Sequence, residues 1–421
     1  MVIRLRKRTQ PEFFMDILLL LPFLFAAASQ LLGLPFGLEI LCDAAAVFLL
    51  VLVSIQRREW PRANKLLLTW VCLFAIYTLV GYLIHFQSVF YYIWGLRNNF
   101  RFYIAFFAFM LFIKEDRVAA YWRLFDALFW INSLICLFQY YVLGYKGDHL
   151  GGLFGIENGS NGYLNIFLVI ICVRAVVYYL NRQENLWLCV AKCGMALYLA
   201  ALSELKFFYV EFLMIVALAL LISRFSWRKL AVIIGTAIGL PAAVMLLGVL
   251  FPNFANFFSL DFFLETALAD RGYTSSGDLN RLNSIGRISE LFLKSFPQQL
   301  FGLGLGNADV GGPAIFTTPF FGQYSYLHYS WLSLAFLFLE TGYIGLTFFF
   351  GFFALLYVQA GKIAKTADAY RKSWCQIAMI LAACCVVIAV YNNSLRVESG
   401  YMVYFVLALP FIAKSGAPET Q

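Results

Sequence analysis

Charge is scarce in this sequence: Asp, Glu, Lys and Arg together make up 13% of 421 residues, while 62% are hydrophobic and 19% aromatic. With a mean hydropathy of +0.79, the chain holds more apolar surface than a water-soluble fold can hide, so the bilayer is its solvent. Histidine is rarer still, with three in the whole chain. The nine cysteines are scattered, mostly inside apolar runs, and none has the spacing of a zinc site. Cys189 and Cys193 are four apart on what reads as a membrane helix, and all nine read as small apolar core residues. No small-residue cleavage site follows the first apolar run, so that run reads as an uncleaved helix. The net charge of +8 does not point to nucleic acid, because most basic residues sit in short loops between apolar runs, where they set orientation.

A helical span needs about 20 apolar residues. Twelve stretches are candidates, at 13–32, 36–55, 66–85, 99–113, 123–143, 160–180, 186–203, 206–222, 230–251, 342–358, 373–391 and 398–413, the one at 99–113 being short. Lys and Arg cluster before the first stretch and between the second and third, fourth and fifth, sixth and seventh, eighth and ninth, and tenth and eleventh. All these loops fall on one side, which the positive-inside rule makes cytoplasmic, with both termini there. The expected fold is an all-α polytopic membrane protein of about twelve spans. Nine spans lie in 1–251, a large extracytoplasmic loop with amphipathic helices in 252–341, and three spans in 342–421, all forming one integrated domain. The apolar segment 325–340 cannot be a further span without inverting the basic loop at 362–372, so it reads as a helix lying on, or dipping into, the outer face.

This topology leaves cations on the side that disfavours them. Arg97, Lys146, Arg271, Arg281, Arg287, Lys294 and Arg396 fall in outer segments, with Arg101 and Lys206 just inside their spans. An anionic ligand would account for them. Arg97, Arg101, Lys206, Arg271 and Arg396 are therefore candidate substrate contacts. Glu211 joins them because a carboxylate within the bilayer is costly and tends to be functional. Lys206 has an alternative as a lysine snorkelling to the surface. Segment 285–296 has helical spacing with Arg287, Glu290 and Lys294 on one face before Pro297 stops it. It reads either as a surface helix with a solvated charged face or as a phosphate contact through Arg287. The run Gly302-Leu-Gly304-Leu-Gly306 follows no strand and lacks nucleotide-loop spacing, so its glycines read as turn formers that expose amides to an oxyanion. His328 lies among Tyr326, Tyr329 and Trp331, either as a packed interfacial residue or as a general base. Loop 151–162 is rich in turn formers and amides, a sugar-binding surface or only a connection.

The order Arg287-Ile-Ser-Glu-Leu-Phe-Leu, Gly302-Leu-Gly-Leu-Gly, and His328-Tyr-Ser-Trp-Leu followed by Glu340-Thr-Gly-Tyr-Ile-Gly, set in twelve spans with a long loop in the C-terminal third, resembles the O-antigen polymerase/ligase superfamily of Wzy-type polymerases and WaaL-type ligases. The resemblance implies a metal-independent membrane glycosyltransferase of the bacterial inner membrane, without cofactor, acting on undecaprenyl-pyrophosphate-linked glycan at the outer face. Membrane lipid, a chain-length regulator and a flippase of the same pathway would be its partners. It implies that Arg287 holds the pyrophosphate and that His328 is catalytic. Members carry Ser-Arg at the head of a mid-chain span; here Ser203-Glu-Leu-Lys206 displaces the cation and makes it lysine. A polymerase extending the lipid-linked chain is the first expectation. A ligase moving finished polymer to another acceptor is the second, and a glycan transporter, disfavoured by the lack of internal repeats, is the third.

Overall fold

The computed structural model of the chain describes residues 9–32, 38–55, 62–223, 226–250, 277–311 and 314–412. Among these residues the secondary structure is helix and turn, with no β-strand. The first half comprises α1 (Gln10–Leu32), α2 (Leu38–Ile55), α3 (Arg62–His85), α4 (Val89–Phe112), α5 (Glu115–Tyr141), α6 (Ser160–Leu180), α7 (Leu186–Leu202), α8 (Phe208–Ile222) and α9 (Trp227–Leu250). Three short helices follow, α10 (Ser284–Leu291), α11 (Phe296–Phe301) and α12 (Pro319–Tyr324), then α13 (Ser333–Ala364), α14 (Ala369–Tyr391) and α15 (Gly400–Ala408). Each of the twelve apolar stretches is mostly helix where described, as expected for backbone that must satisfy its hydrogen bonds without water.

Among the described residues five helices are long and apolar enough to cross a membrane: Ala63–His85, Glu115–Tyr141, Ser160–Leu180, Ser333–Ala364 and Ala369–Tyr391. Shorter apolar helices cover Leu41–Ile55, Leu186–Leu202, Phe208–Ile222 and Gly400–Phe411. Helix α6 is central, with 89% of its apolar window buried against 28% for α3. On α3, Leu73, Ile76, Leu79, Val80 and Leu83 face outward, a surface stable only against lipid. The centre is aromatic: Tyr103 and Tyr404 pack on Phe352, and Phe74 stacks on Phe348. All nine cysteines are free and eight are buried, the exception being Cys72. The C-terminal helices are woven into the first half, with α14 against α6 and α8 and α15 against α4.

Side-chain contacts identify the two ends of the bundle. At one, Asn181 bonds Ser373 and Gln376, Arg228 donates to the Tyr179 and Glu184 carbonyls, Arg371 donates to Pro410 O, and Arg117 pairs with Glu12. At the other, Asn161 donates to Ser203 O, the Phe207 ring stacks on Tyr391, and Ser333 N donates to Asn392 O. His328 lies at this second end.

Three expectations are corrected here. The expected outer loop 86–98 is helical from Val89, so Arg97 and Arg101 share α4, one turn apart. No residue between Val89 and Phe112 breaks the helix; Gly95 in its middle admits another backbone, since a Cβ there would lie 2.6 Å from Gly306 N. Pro297 starts a helix rather than ending one. The 285–296 helix stops at Leu291, and α11 begins at Phe296 with Ser295 accepting from Gln298 N and Gln298 bonding back to Ser295 N. Proline has no amide to lose in a first helical turn. Finally, of the two readings of 325–340, the helix lying on the outer face is set aside and the one dipping inward fits: residues 325–331 form two 3-10 turns, and the first arm of α13 runs inward with Phe336 to Glu340 buried.

That arm ends in a kink at Gly342 (φ 60°, ψ −164°), a region open essentially to glycine alone. Leu303 N and Gly304 N donate to the carbonyls of Leu339 and Glu340 at 2.8 and 2.9 Å, and Tyr77 donates to Thr341 O at 2.6 Å. A Cβ at Gly342 would lie 2.3 Å from Leu300 O. Gly342→Ala is therefore expected to destabilise the protein by more than the about 1–3 kcal/mol of backbone strain alone. A fall in the apparent Tm of purified protein, absent in Gly322→Ala where nothing stands within 4 Å, would show it; an unchanged Tm would refute the kink's role.

Candidate functional site

His328 sits between the two 3-10 turns Ser325–Leu327 and Tyr329–Trp331 in a left-handed conformation (φ 50°, ψ 29°). Non-glycine residues adopt it only where the surroundings hold them there. The turns supply that hold, with His328 N donating to Ser325 O and Trp331 N to His328 O. Its ring lies on Trp331, centroids 3.8 Å apart and planes 16° from parallel. Nδ1 is 2.5 Å from Oδ1 of Asp278, and the two side chains are 39% and 23% exposed. Leu279 N donates to Leu327 O, so the residues following Asp278 and preceding His328 are joined by backbone.

Arg281, three residues beyond Asp278, donates from Nε to Tyr391 O at 3.0 Å and lies over the Tyr391 ring. That ring stacks on Phe207 at 4.1 Å, next in sequence to Lys206. A histidine–carboxylate pair and two cations thus share one end of the bundle. Lys206 follows Glu204, itself left-handed, and donates its amide to Glu204 O. Arg287 stands on α10, half-exposed, with Nη1 2.6 Å from Glu290. Asp270 and Arg271 lie outside the described residues.

The remaining candidate cations are committed to the protein's own carboxylates. Arg97 forks onto both oxygens of Asp43 at 2.9 Å, a bidentate geometry suited to guanidinium. Asn98 donates to Asp309 at 2.7 Å, and Asp309 is 3.9 Å from Arg396. Arg396 lies over the Phe336 ring at 3.7 Å. Burial lowers its pKa from the usual guanidinium value, against the pull of Asp309 and Glu340. Arg101 pairs with Glu398 at 2.7 Å, side chains 5% and 10% exposed, and donates to Arg396 O, while Tyr163 donates to the other Glu398 oxygen. Arg97 and Arg101, expected as substrate contacts, are thus hydrogen-bonded to internal carboxylates, and Arg396 lies beside one; a buried cation needs such a counter-charge. These contacts tie α2, α4, α6, the 302–311 loop and the segment before α15 into one end.

The loop that follows the glycine run meets a buried carboxyl group: Ala308 N donates to Glu340 Oε1 at 3.2 Å. At Gly306 (φ 85°) a Cβ would fall 1.9 Å from Tyr91 O, so the run also sets the close approach to α4. Glu211 is fully buried at the start of α8, accepting from Asn165 on α6 at 3.3 Å. A second ionic cluster lies between α5, α6 and α7, where Asp126 bonds Arg174 at 2.5 Å and Lys192 at 2.8 Å, and Lys192 also pairs with Glu184. Among the described residues no group of three or more His, Cys, Asp or Glu is placed to hold a metal ion.

Asp278 and the Arg281–Tyr391 contact were not visible from sequence, since their partners stand 50 and 110 residues away with no shared motif. Lys192, inside an apolar run, was hidden by its neighbours. Comparison with protein-family models and with curated proteins returns no match to this chain.

Proposed function

We propose that this protein is a membrane glycosyltransferase that polymerises undecaprenyl-pyrophosphate-linked oligosaccharide repeat units into a surface polysaccharide. In this reading the chain crosses the bacterial inner membrane twelve times with both termini inside, and the His328 end faces out. The observation that carries it is the half-exposed His328–Asp278 pair sharing one end of a lipid-soluble bundle with Arg281 and Lys206. An acceptor hydroxyl attacks the anomeric carbon of the lipid-linked chain. The bond from that carbon to the pyrophosphate oxygen breaks, its electron pair leaves with pyrophosphate, and His328 takes the hydroxyl proton. Fixed cations stabilise the charge that develops on the leaving group. Arg281, held on Tyr391, and Arg287, the position the superfamily resemblance marks, are the residues assigned to this role. A ligase would use the same groups with a different acceptor.

Purified protein in nanodiscs, given lipid-linked repeat units and no nucleotide, is expected to produce a ladder of longer glycans and release undecaprenyl pyrophosphate. Arg281→Ala and Arg287→Ala are each expected to lower turnover about 10²-fold, with Arg281→Lys only partly restoring it because lysine lacks the paired donors. Wild-type turnover in both alanine variants would remove the arginines from the chemistry, and transfer only to an added non-lipid acceptor would make the protein a ligase.

A further inference from the structure

The structure assigns Asp278 as the positioning residue of His328: its carboxylate fixes the imidazole with the proton on Nδ1, which leaves the lone pair on Nε2 to meet the acceptor hydroxyl. The inference rests on the reading of His328 as proton acceptor. Asp278 Oδ1 stands 2.5 Å from Nδ1, and an ionised carboxylate can only accept a hydrogen bond, so Nδ1 must donate. The tautomer of a neutral histidine is set by the bond its other nitrogen makes.

Two further contacts define the ring. Trp331 covers one face at 3.8 Å, fixing the plane, while the bond to Asp278 fixes rotation within it. The bond from Leu279 N to Leu327 O, 3.1 Å between two buried leucines, joins the two strands of chain that carry the pair. Asp278 is itself set by the turn that follows, in which Leu282 N donates to the buried Asn280 side chain and the Ser284 hydroxyl donates to Arg281 O. An incidental surface ion pair between flexible side chains needs none of this. Here both backbones are pinned, and His328 is held in a left-handed conformation that delivers its ring to the carboxylate. Arg281 is anchored on the same turn, so one short segment, 278–281, places both the histidine's partner and a cation for the leaving group.

The chain has three histidines, so full-length protein in nanodiscs, labelled with ¹⁵N-histidine, gives a spectrum in which the His328 signals are assigned by their loss in His328→Gln. The wild type is expected to show His328 as the Nδ1–H tautomer. In Asp278→Asn the side-chain amide donates to Nδ1, and the ring is expected to switch to Nε2–H. Polymerisation turnover should then fall by about 10²–10⁴-fold, the range seen when a histidine's carboxylate partner becomes an amide or a general base is lost, with KM changed less than about threefold. Asp278→Glu, which keeps the carboxylate, should retain the wild-type tautomer and restore turnover in part. A wild-type ring in the Nε2–H form, or Asp278→Asn with the wild-type tautomer, would overturn the assignment. A switched tautomer with undiminished turnover would instead overturn the reading of His328 as proton acceptor, leaving the positioning by Asp278 standing.

Discussion

Replacing His328 with alanine is expected to lower polymerisation by about 10²–10⁴-fold while the protein stays folded. The imidazole offers a ring nitrogen that can accept a hydroxyl proton, and it is 39% exposed. Its removal deletes a stack and a hydrogen bond at a partly solvated surface rather than opening the core. The backbone is the one structural risk, because φ at 328 is positive. His328→Asn controls for this, since asparagine tolerates the left-handed region better than alanine but offers no basic nitrogen. Both variants should lose turnover alike and melt close to the wild type. Turnover within about threefold of the wild type in either would dismiss His328 from the chemistry.

Arg101→Ala is expected to have the largest effect on stability, equivalent to about 3–5 kcal/mol, the usual result of removing one partner of a buried ion pair. Glu398 would be left buried with the Tyr163 hydroxyl and no cation in contact. Arg101→Ala should therefore show a lower apparent Tm than the wild type at neutral pH. Arg101→Met combined with Glu398→Leu should recover much of the loss, since an apolar pair of similar volume replaces the ionic one. An Arg101→Ala protein that melts normally but shows a raised KM would return Arg101 to the substrate.

Hydropathy made the bulk of the fold legible. Each of the twelve apolar runs is mostly helix where described, because in lipid a long apolar segment satisfies its backbone by folding into helix. What local pattern could not show was pairing at a distance. Arg97, Arg101 and Arg396 looked like unexplained cations because Asp43, Glu398 and Asp309 lie far along the chain. The glycines at 302–306 promised amides for an oxyanion; in the structure Leu303 N and Gly304 N donate to the main-chain carbonyls of Leu339 and Glu340, which reach them through the inward arm of α13 and its Gly342 kink. Pro297 was read as a stop because proline ends helices from within; the cap at Ser295, which makes it a start, depends on a reciprocal bond with Gln298. His328 was singled out by its rarity and by the superfamily resemblance, whereas Asp278 carried no signal of its own.

The most direct measurement is the size distribution of surface and lipid-linked glycan in a host from which the gene has been deleted, with the wild-type gene and His328→Asn supplied in turn. A polymerase predicts collapse to single repeat units on deletion, restoration of the ladder by the wild type, and no restoration by His328→Asn at equal protein level. Full-length polymer stranded on the lipid carrier would mean ligation instead, and repeat units trapped on the cytoplasmic side would contradict the enzyme reading altogether.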